Sequence, residues 1–336
     1  MEIERVISSL MVVAVVALAI HGNEGLVSED SPLIVDFYKE TCPALEEIVR
    51  YIVKIAVLEE PRIAASLLRL HFHDCFVLGC DGSILLDDQG GMVSEKKAGP
   101  NLNSVRGFGV IDKIKYAVEE VCPLTVSCAD ILAIVARDAV VLRGGPSWEV
   151  PLGRRDSLRS SIADANKMIP SPNSSLAQLV ANFEQHGLDP GDLVALSGSH
   201  TMGMARCLSF AKRLYDPTIE ENHDPRYSTF QRSLRSICPA PGNSNRVISL
   251  DYKTPFMFDN YYFKNLIEAR GLLHSDNVLV LEDNEEGFVM ERVWAYAYNQ
   301  KLFFESFSNS MVKMGNINVL TGEQGEIRKY CRFVNT

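Results

Sequence analysis

Two short segments of the chain carry side chains that could do acid–base or metal chemistry. The first is Arg69-Leu70-His71-Phe72-His73-Asp74-Cys75-Phe76. On a helix, Arg69 and His73 stand one turn apart on one face, and Phe72 and Phe76 share that stripe. A cation, an imidazole and two rings facing one cavity are an odd choice for a packed core. The plain alternative is a helix edge with a satisfied Arg and His. His71 lies off the stripe and reads as structural. A His-x-His zinc site is a further alternative, although zinc pairs on helices are usually spaced i, i+4. The second segment is Leu196-Ser197-Gly198-Ser199-His200-Thr201-Met202-Gly203. His200 follows a helix end there, and Gly198 and Gly203 let backbone pack closely against a large flat group. Alone, such a histidine reads as a turn residue; beside the first segment it becomes a candidate ligand.

The elements that must position these residues are mostly helices joined by long loops. Residues 46–59 are amphipathic, with Ile48, Ile52, Ile55 and Val57 apolar. Pro61 sits where a new helix can begin, and 62–76 continue as an apolar-rich helix. A loop rich in Gly, Asp and Lys covers 78–103. Helical spacing returns at 105–121, 127–141 and 176–186, and Asp189-Pro190 opens a helix over 191–197. Residues 258–269 and 288–314 complete the set. Residues 148–150 and 278–280 are the short strand candidates. There is no internal repeat and no low-complexity segment, so the class is mainly α.

The chain has 336 residues, nearly half of them apolar, which suits one large domain or two small ones. Its formal charge is −10 and its pI about 5.3, which argues against nucleic acid or anionic membrane as a partner. An apolar run over 6–20 is short of the ~20 residues a bilayer span needs. Small residues follow it. The run reads as a secretory signal peptide over residues 1–25, cleaved within 19–30, with a membrane anchor as the alternative; Glu2 and Glu4 outweigh Arg5 in its flank. Eight cysteines behind such a segment suggest four disulfides formed in an oxidising compartment. No Cys-x-x-Cys pair occurs, which disfavours structural zinc or an iron–sulfur cluster. Composition alone leaves ~105 pairings open. Asn173-Ser174-Ser175 is a glycosylation sequon.

The two histidine segments, taken in order with Asp36-Phe37-Tyr38, Cys42-Pro43, Val126-Ser127-Cys128-Ala129-Asp130, Val150-Pro151-Leu152-Gly153-Arg154-Arg155-Asp156 and Phe258-Asp259-Asn260, resemble the secretory plant haem peroxidases of class III. The resemblance runs from about residue 33 to 335. It implies one domain over 32–336: a two-lobed helical fold with haem b between a distal and a proximal lobe and very little β structure.

By this resemblance His200 is the axial iron ligand and Asp276 its carboxylate partner, which makes the imidazole more anionic. His73 is the general base and acid on the opposite haem face, Arg69 stabilises charge on the departing oxygen, and Asn101 holds the other nitrogen of His73. Arg62, Ser66, Ser104 and Arg206 are candidates to meet the haem propionates. Two Ca²⁺ sites are implied, and calcium wants six to eight oxygens. The distal set is Asp74, Val77, Gly79, Asp81, Ser83 and Glu95; the proximal set is Thr201, Asp251, Thr254, Met257 and Asp259. Without the resemblance, the acidic loop over 81–88 reads as solvated, and it does not fit the EF-hand pattern. The implied cystines are Cys42–Cys122, Cys75–Cys80, Cys128–Cys331 and Cys207–Cys238. Asp130 and Arg154 resemble a buried ion pair, and Pro170 the proline at a donor entrance.

Departures are few: Leu78 and Gly82 in the first calcium loop, and the acidic stretch 282–286, expected on the surface. Phe72, where a Trp would stand, separates the chain from intracellular peroxidases of the ascorbate and cytochrome c type. The implied activity is reduction of hydrogen peroxide with oxidation of small phenolic donors by a secreted monomer. That monomer binds no nucleic acid and no membrane after signal cleavage. The cell wall is the expected destination and the vacuole the alternative; lignification, oxidative stress response and peroxide removal are the expected settings. Two other classes compete. A haem- or oxygen-binding protein without turnover would keep His200 but needs no Arg69–His73 pair. A secreted structural protein rich in calcium and disulfides would need neither.

Overall fold

Apolar spacing builds the first lobe. The computed structural model describes residues 32–216, 225–240, 245–282 and 287–336. Helix α1 (Leu45–Glu59) buries Leu45, Val49, Val53 and Val57, one residue per turn. Helix α2 (Ile63–Cys75) carries the first histidine segment and follows Pro61 directly. Helix α3 (Phe108–Val121) lies against α1, and α4 (Cys128–Leu142) fills the middle of the lobe. Nearly every side chain of α4 is buried, as expected of a helix that is apolar all round. Its first N–H groups, which no helix satisfies internally, go to Ser127 Oγ and to both carboxylate oxygens of Asp156.

Helix α5 (Ile162–Met168) and α6 (Leu176–Gln185) lead to α7 (Pro190–Ser197), which opens with Pro190 and a reciprocal Asp189–Asp192 capping box. A 3₁₀ turn over Gly198–Thr201 follows and holds His200. Strand β1 (Met204–Arg206) pairs antiparallel with β2 (Val247–Ser249), Met204 opposite Ser249. Helices α8 (Cys207–Tyr215) and α9 (Pro225–Ile237) lie between the strands in the chain. Helices α10 (Tyr261–Ile267), α11 (His274–Leu281), α12 (Phe288–Tyr298) and α13 (Gln300–Gly315) complete the fold. Their aromatic residues Phe258, Phe263, Tyr296, Phe303 and Phe307 stack into one core. Pro32–Thr336 forms one compact unit, mainly α.

Several sequence expectations need correction. Residues 148–150 are not a strand, and 278–280 lie inside α11: the β-branched run there is buried by helix packing, which outweighs local preference. The two observed strands were not anticipated, being three residues each. The helix expected over 258–269 begins only at Tyr261, because Asp259 Oδ1 accepts the Tyr261 N–H at its start. The helix expected over 288–314 breaks at Asn299, whose backbone is extended and whose side chain caps α13 through Leu302 N–H. Gly198 does make a close approach, but a Cβ there would sit 2.4 Å from the Phe303 ring, so the flat group it admits is a core phenylalanine. The signal peptide and the acidic positions 283–286 lie outside the described residues; Glu282, expected on the surface, is half-buried and accepts the Leu176 N–H at 2.7 Å.

Four disulfides tie the unit together: Cys42–Cys122, Cys75–Cys80, Cys128–Cys331 and Cys207–Cys238. The segment before Cys331 returns to the first lobe. Arg328, fully buried, donates to Gly82 O at 2.6 Å, and its backbone N–H bonds the same Asp156 that caps α4. Nearby, Arg154 Nη1 meets Asp130 Oδ1 at 2.8 Å with both groups buried. The Tyr38 hydroxyl and the Gly153 N–H also donate to that carboxylate, and the remaining Arg154 donors go to Gly315 O and Pro151 O. Breaking a buried pair leaves one charge uncompensated, at about 3–5 kcal/mol. Asp130→Ala is therefore expected to lower the unfolding free energy read from a urea titration by that much, and an unchanged value would show that the pair is dispensable.

Candidate active site

Helix α2 delivers the first constellation. Arg69 Nε donates to His73 Nε2 at 3.1 Å, which fixes the tautomer: Nδ1 carries the proton and donates to Asn101 Oδ1 at 2.5 Å. Asn101 is itself held, its Nδ2 donating to Glu95 O at 2.8 Å. Burial, reinforced by the Arg69 cation, pushes the His73 imidazole well below its ordinary pKa, so the ring is neutral with an available lone pair on Nε2. Burial, with Arg206 nearby, also lowers Arg69, to about 10, leaving it a cation at neutral pH. The rest of the Arg69 fork is spread over Pro100 O, Ser104 O and Ser104 Oγ, which holds the guanidinium in one place. His71, by contrast, is buried against the Cys75 sulfur, 3.6 Å away. Its cluster with Cys75 and Cys80 is no metal site, because both sulfurs are spent in a disulfide.

The second constellation joins residues far apart in the chain. His200 Nδ1 donates to Asp276 Oδ1 at 2.7 Å, and Asp276, on the first turn of α11, is buried. Its Oδ2 accepts the Leu273 N–H at 2.9 Å, so the carboxylate that starts the helix also orients the imidazole. His200 Nε2 has no hydrogen-bond partner among the described residues, and its side chain is 36% exposed. An imidazole tied to a carboxylate at one nitrogen and free at the other is the donor set that haem iron takes. Tyr262, absent from the sequence reading, also reaches Asp276: its hydroxyl donates to Oδ1 at 3.1 Å. The signal for it is its position three residues after Asp259, but nothing in the sequence links it to Asp276.

Around these stand the remaining residues. Ser104 meets Arg69, Arg206 donates to Leu102 O at 3.3 Å, and Ser66 Oγ bonds Arg62 O at 3.3 Å. Arg62 is half-buried, and among the described residues only its backbone carbonyl, through Ser66, joins it to this group. Pro170 is half-buried in the loop between α5 and α6, and two residues on Pro172 O accepts the Ser275 N–H, beside Asp276. Asn173 is half-buried.

The loop after α2 gathers Asp74, Asp81 and Glu95, all buried. Asp81 is pushed up to about 6 and Glu95 to about 7, chiefly by burial; Asp74 is pushed up too, first by burial and then by the Asp81 charge. Ser83 Oγ and Glu95 Oε2 are buried without a hydrogen-bond partner. Val77 and Gly79 are buried in the same loop; Gly79 has φ +127°, and a Cβ there would strike Asn318 O at 2.4 Å. Like charges held together in a dry loop, with orphaned oxygens, fit a hard cation such as calcium. On the other side Thr201 Oγ1 donates to Asp259 Oδ1 and Thr254 Oγ1 to Asp251 Oδ2, both at 3.0 Å, while Met257 N–H bonds Thr254 O. Those bonds form two local groups; no hydrogen bond joins the Asp251 pair to the Asp259 pair.

A neutral imidazole beside a guanidinium on one element and a carboxylate-backed imidazole on another are side chains that fit a haem enzyme of the peroxidase class. A family model described as Peroxidase matches residues 49–294. The chain is 59% identical over its full length to Peroxidase 20 of Arabidopsis thaliana, whose length is also fully covered. It is 53% identical to Peroxidase 72 of the same plant, over 90% of each chain, and 50% identical to Peroxidase 4 of Vitis vinifera, over 97% of this chain and 98% of that one. The chain belongs to the peroxidase family, among the class III plant peroxidases, and is a haem peroxidase. Peroxidases of this class bind haem and calcium. The alternatives without turnover are not favoured. No helix among the described residues is long and apolar enough to cross a membrane.

If the loop after α2 takes calcium, Glu95→Gln removes one of its charged oxygens. The variant is expected to bind one fewer Ca²⁺ per chain by metal analysis after gel filtration and to melt at lower temperature; two retained ions would take Glu95 out of the ligand set.

Proposed function

We propose that this peroxidase oxidises small phenolic donors, and that His73, Arg69, Asn101, His200 and Asp276 carry the reaction. The observation that carries this reading is the buried Arg69–His73 pair with Asn101 behind it. Bound at His200, haem supplies an iron that accepts peroxide and stores oxidising equivalents drawn from it. His73 Nε2 takes the proton of the incoming peroxide and returns it to the oxygen that leaves as water. Its Nδ1–H, held by Asn101, directs that lone pair to Nε2 before the proton is taken and again after it is returned. Arg69 stabilises the charge that develops on the leaving oxygen, from a position fixed by Ser104 and Pro100. Asp276 accepts from His200 Nδ1 and makes the ring a stronger donor. Two donors then give one electron each.

Ser104, Arg206, Arg62 and Ser66 are proposed to meet the propionates, and Pro170 to border the donor entrance. Asp74, Val77, Gly79, Asp81, Ser83 and Glu95 are proposed for one Ca²⁺, and Thr201, Asp251, Thr254, Met257 and Asp259 for the other. The sequence supports removal of residues 1–25 on export to the cell wall, a glycan on Asn173, one peroxidase domain over 32–336, and action as a monomer in lignification or peroxide removal.

Protein purified without added haem is expected to show a ferric Soret band that shifts within seconds of adding peroxide. General acid–base help typically supplies about 10²–10⁴-fold, so His73→Leu is expected to slow that shift by this factor while the resting band stays. An unchanged rate sinks the base assignment; a preparation without the band sinks the haem reading.

A further inference from the structure

The phenol of Tyr262 has no task in the mechanism above, yet it donates to the carboxylate oxygen that also holds His200. Asp276 Oδ1 accepts His200 Nδ1 at 2.7 Å and the Tyr262 hydroxyl at 3.1 Å, while Oδ2 accepts the Leu273 N–H at 2.9 Å. Tyr262 and Asp276 are each 2% exposed, so solvent has little part in this exchange. The Tyr262 ring stands edge-on to the His200 ring, centroids 6.0 Å apart, and edge-on to Phe263 at 5.0 Å. Burial and the Asp276 charge raise the phenol well above its ordinary pKa. It therefore stays protonated and acts as a standing donor.

Each hydrogen bond to a carboxylate lowers its basicity. A second donor on one oxygen draws charge away from the first, and in a dry interior the competition is not screened. We propose that Tyr262 is a positioning residue for the proximal pair: its hydroxyl takes up part of the negative charge on Asp276 Oδ1 and so limits how far His200 is polarised toward the iron. The inference rests on His200 being the iron ligand. The sign follows directly. Without the hydroxyl, Asp276 pulls harder on the His200 proton, the ring becomes more anionic, and the ferric state gains over the ferrous.

Tyr262→Phe removes the hydroxyl and keeps the ring and its packing. In the haem-loaded variant the iron–histidine stretching band of the ferrous protein, read by resonance Raman, is expected to move to higher frequency, and the ferric/ferrous midpoint potential to fall. Placing 3-fluorotyrosine at position 262 makes the phenol a stronger donor and is expected to move both quantities the other way; this variant carries the test if the phenylalanine form does not fold. In an Asp276→Asn background, Tyr262→Phe is expected to move neither. A residue that merely packed would leave the band and potential in place, so a folded, loaded variant with both unchanged, or shifted in the opposite sense, overturns the proposal. A wild-type ferrous protein with no iron–histidine band overturns the ligand assignment beneath it, which is a distinct outcome.

Discussion

Burial of ionisable groups is the constraint around which this molecule is built. A charge taken out of water must be paired, hydrogen-bonded or neutralised. Each important position in the chain uses one of these solutions. His73 is neutralised, by burial and by a cation placed against its lone pair. Asp130 is paired with Arg154 and given further donors. Asp276 is held by three hydrogen bonds, one of them from His200. The carboxylates Asp74, at the end of α2, and Asp81 and Glu95, in the loop after it, are buried close enough for their charges to oppose one another, which makes this the place where a divalent ion has most to contribute.

The loop proposed to bind calcium and the imidazole proposed as base are connected at two points. Asp74 follows His73 on the last turn of α2, and Glu95 holds Asn101, which holds His73. A change in how the loop is packed therefore reaches the imidazole from both its backbone and its far nitrogen. On the other face the same economy appears: Thr201 follows His200 and is bonded to Asp259, whose other task is to start the helix that carries Tyr262. In both cases the histidine proposed to act at the haem is adjacent in sequence to a residue proposed to bind calcium.

What the sequence disclosed depended on distance along the chain. Arg69 and His73 are one turn apart, so helical spacing alone put them on one face, and the helices with strong apolar period were found nearly in place. His200 and Asp276 are 76 residues apart, and no periodicity joins them; only likeness to a known family linked them. Asn101, Glu95 and Tyr262 are further cases, since their partners are brought together by loops and not by any local pattern. Elements failed where tertiary contacts overrode local preference, as at 278–280, or where one polar side chain reset the backbone, as at Asn299.

The path of Arg328 has a consequence for how the protein is made. Asp156 accepts the first two N–H groups of α4 and the backbone N–H of Arg328, and the side chain of Arg328 reaches the loop after α2 at Gly82. The neighbouring bridge spans 203 residues, from Cys128 to Cys331. During vectorial synthesis the central helix thus leaves the ribosome long before the C-terminal segment that packs beside its start. Neither the Arg328 contacts nor the Cys128–Cys331 bridge can form until nearly the whole chain has been made.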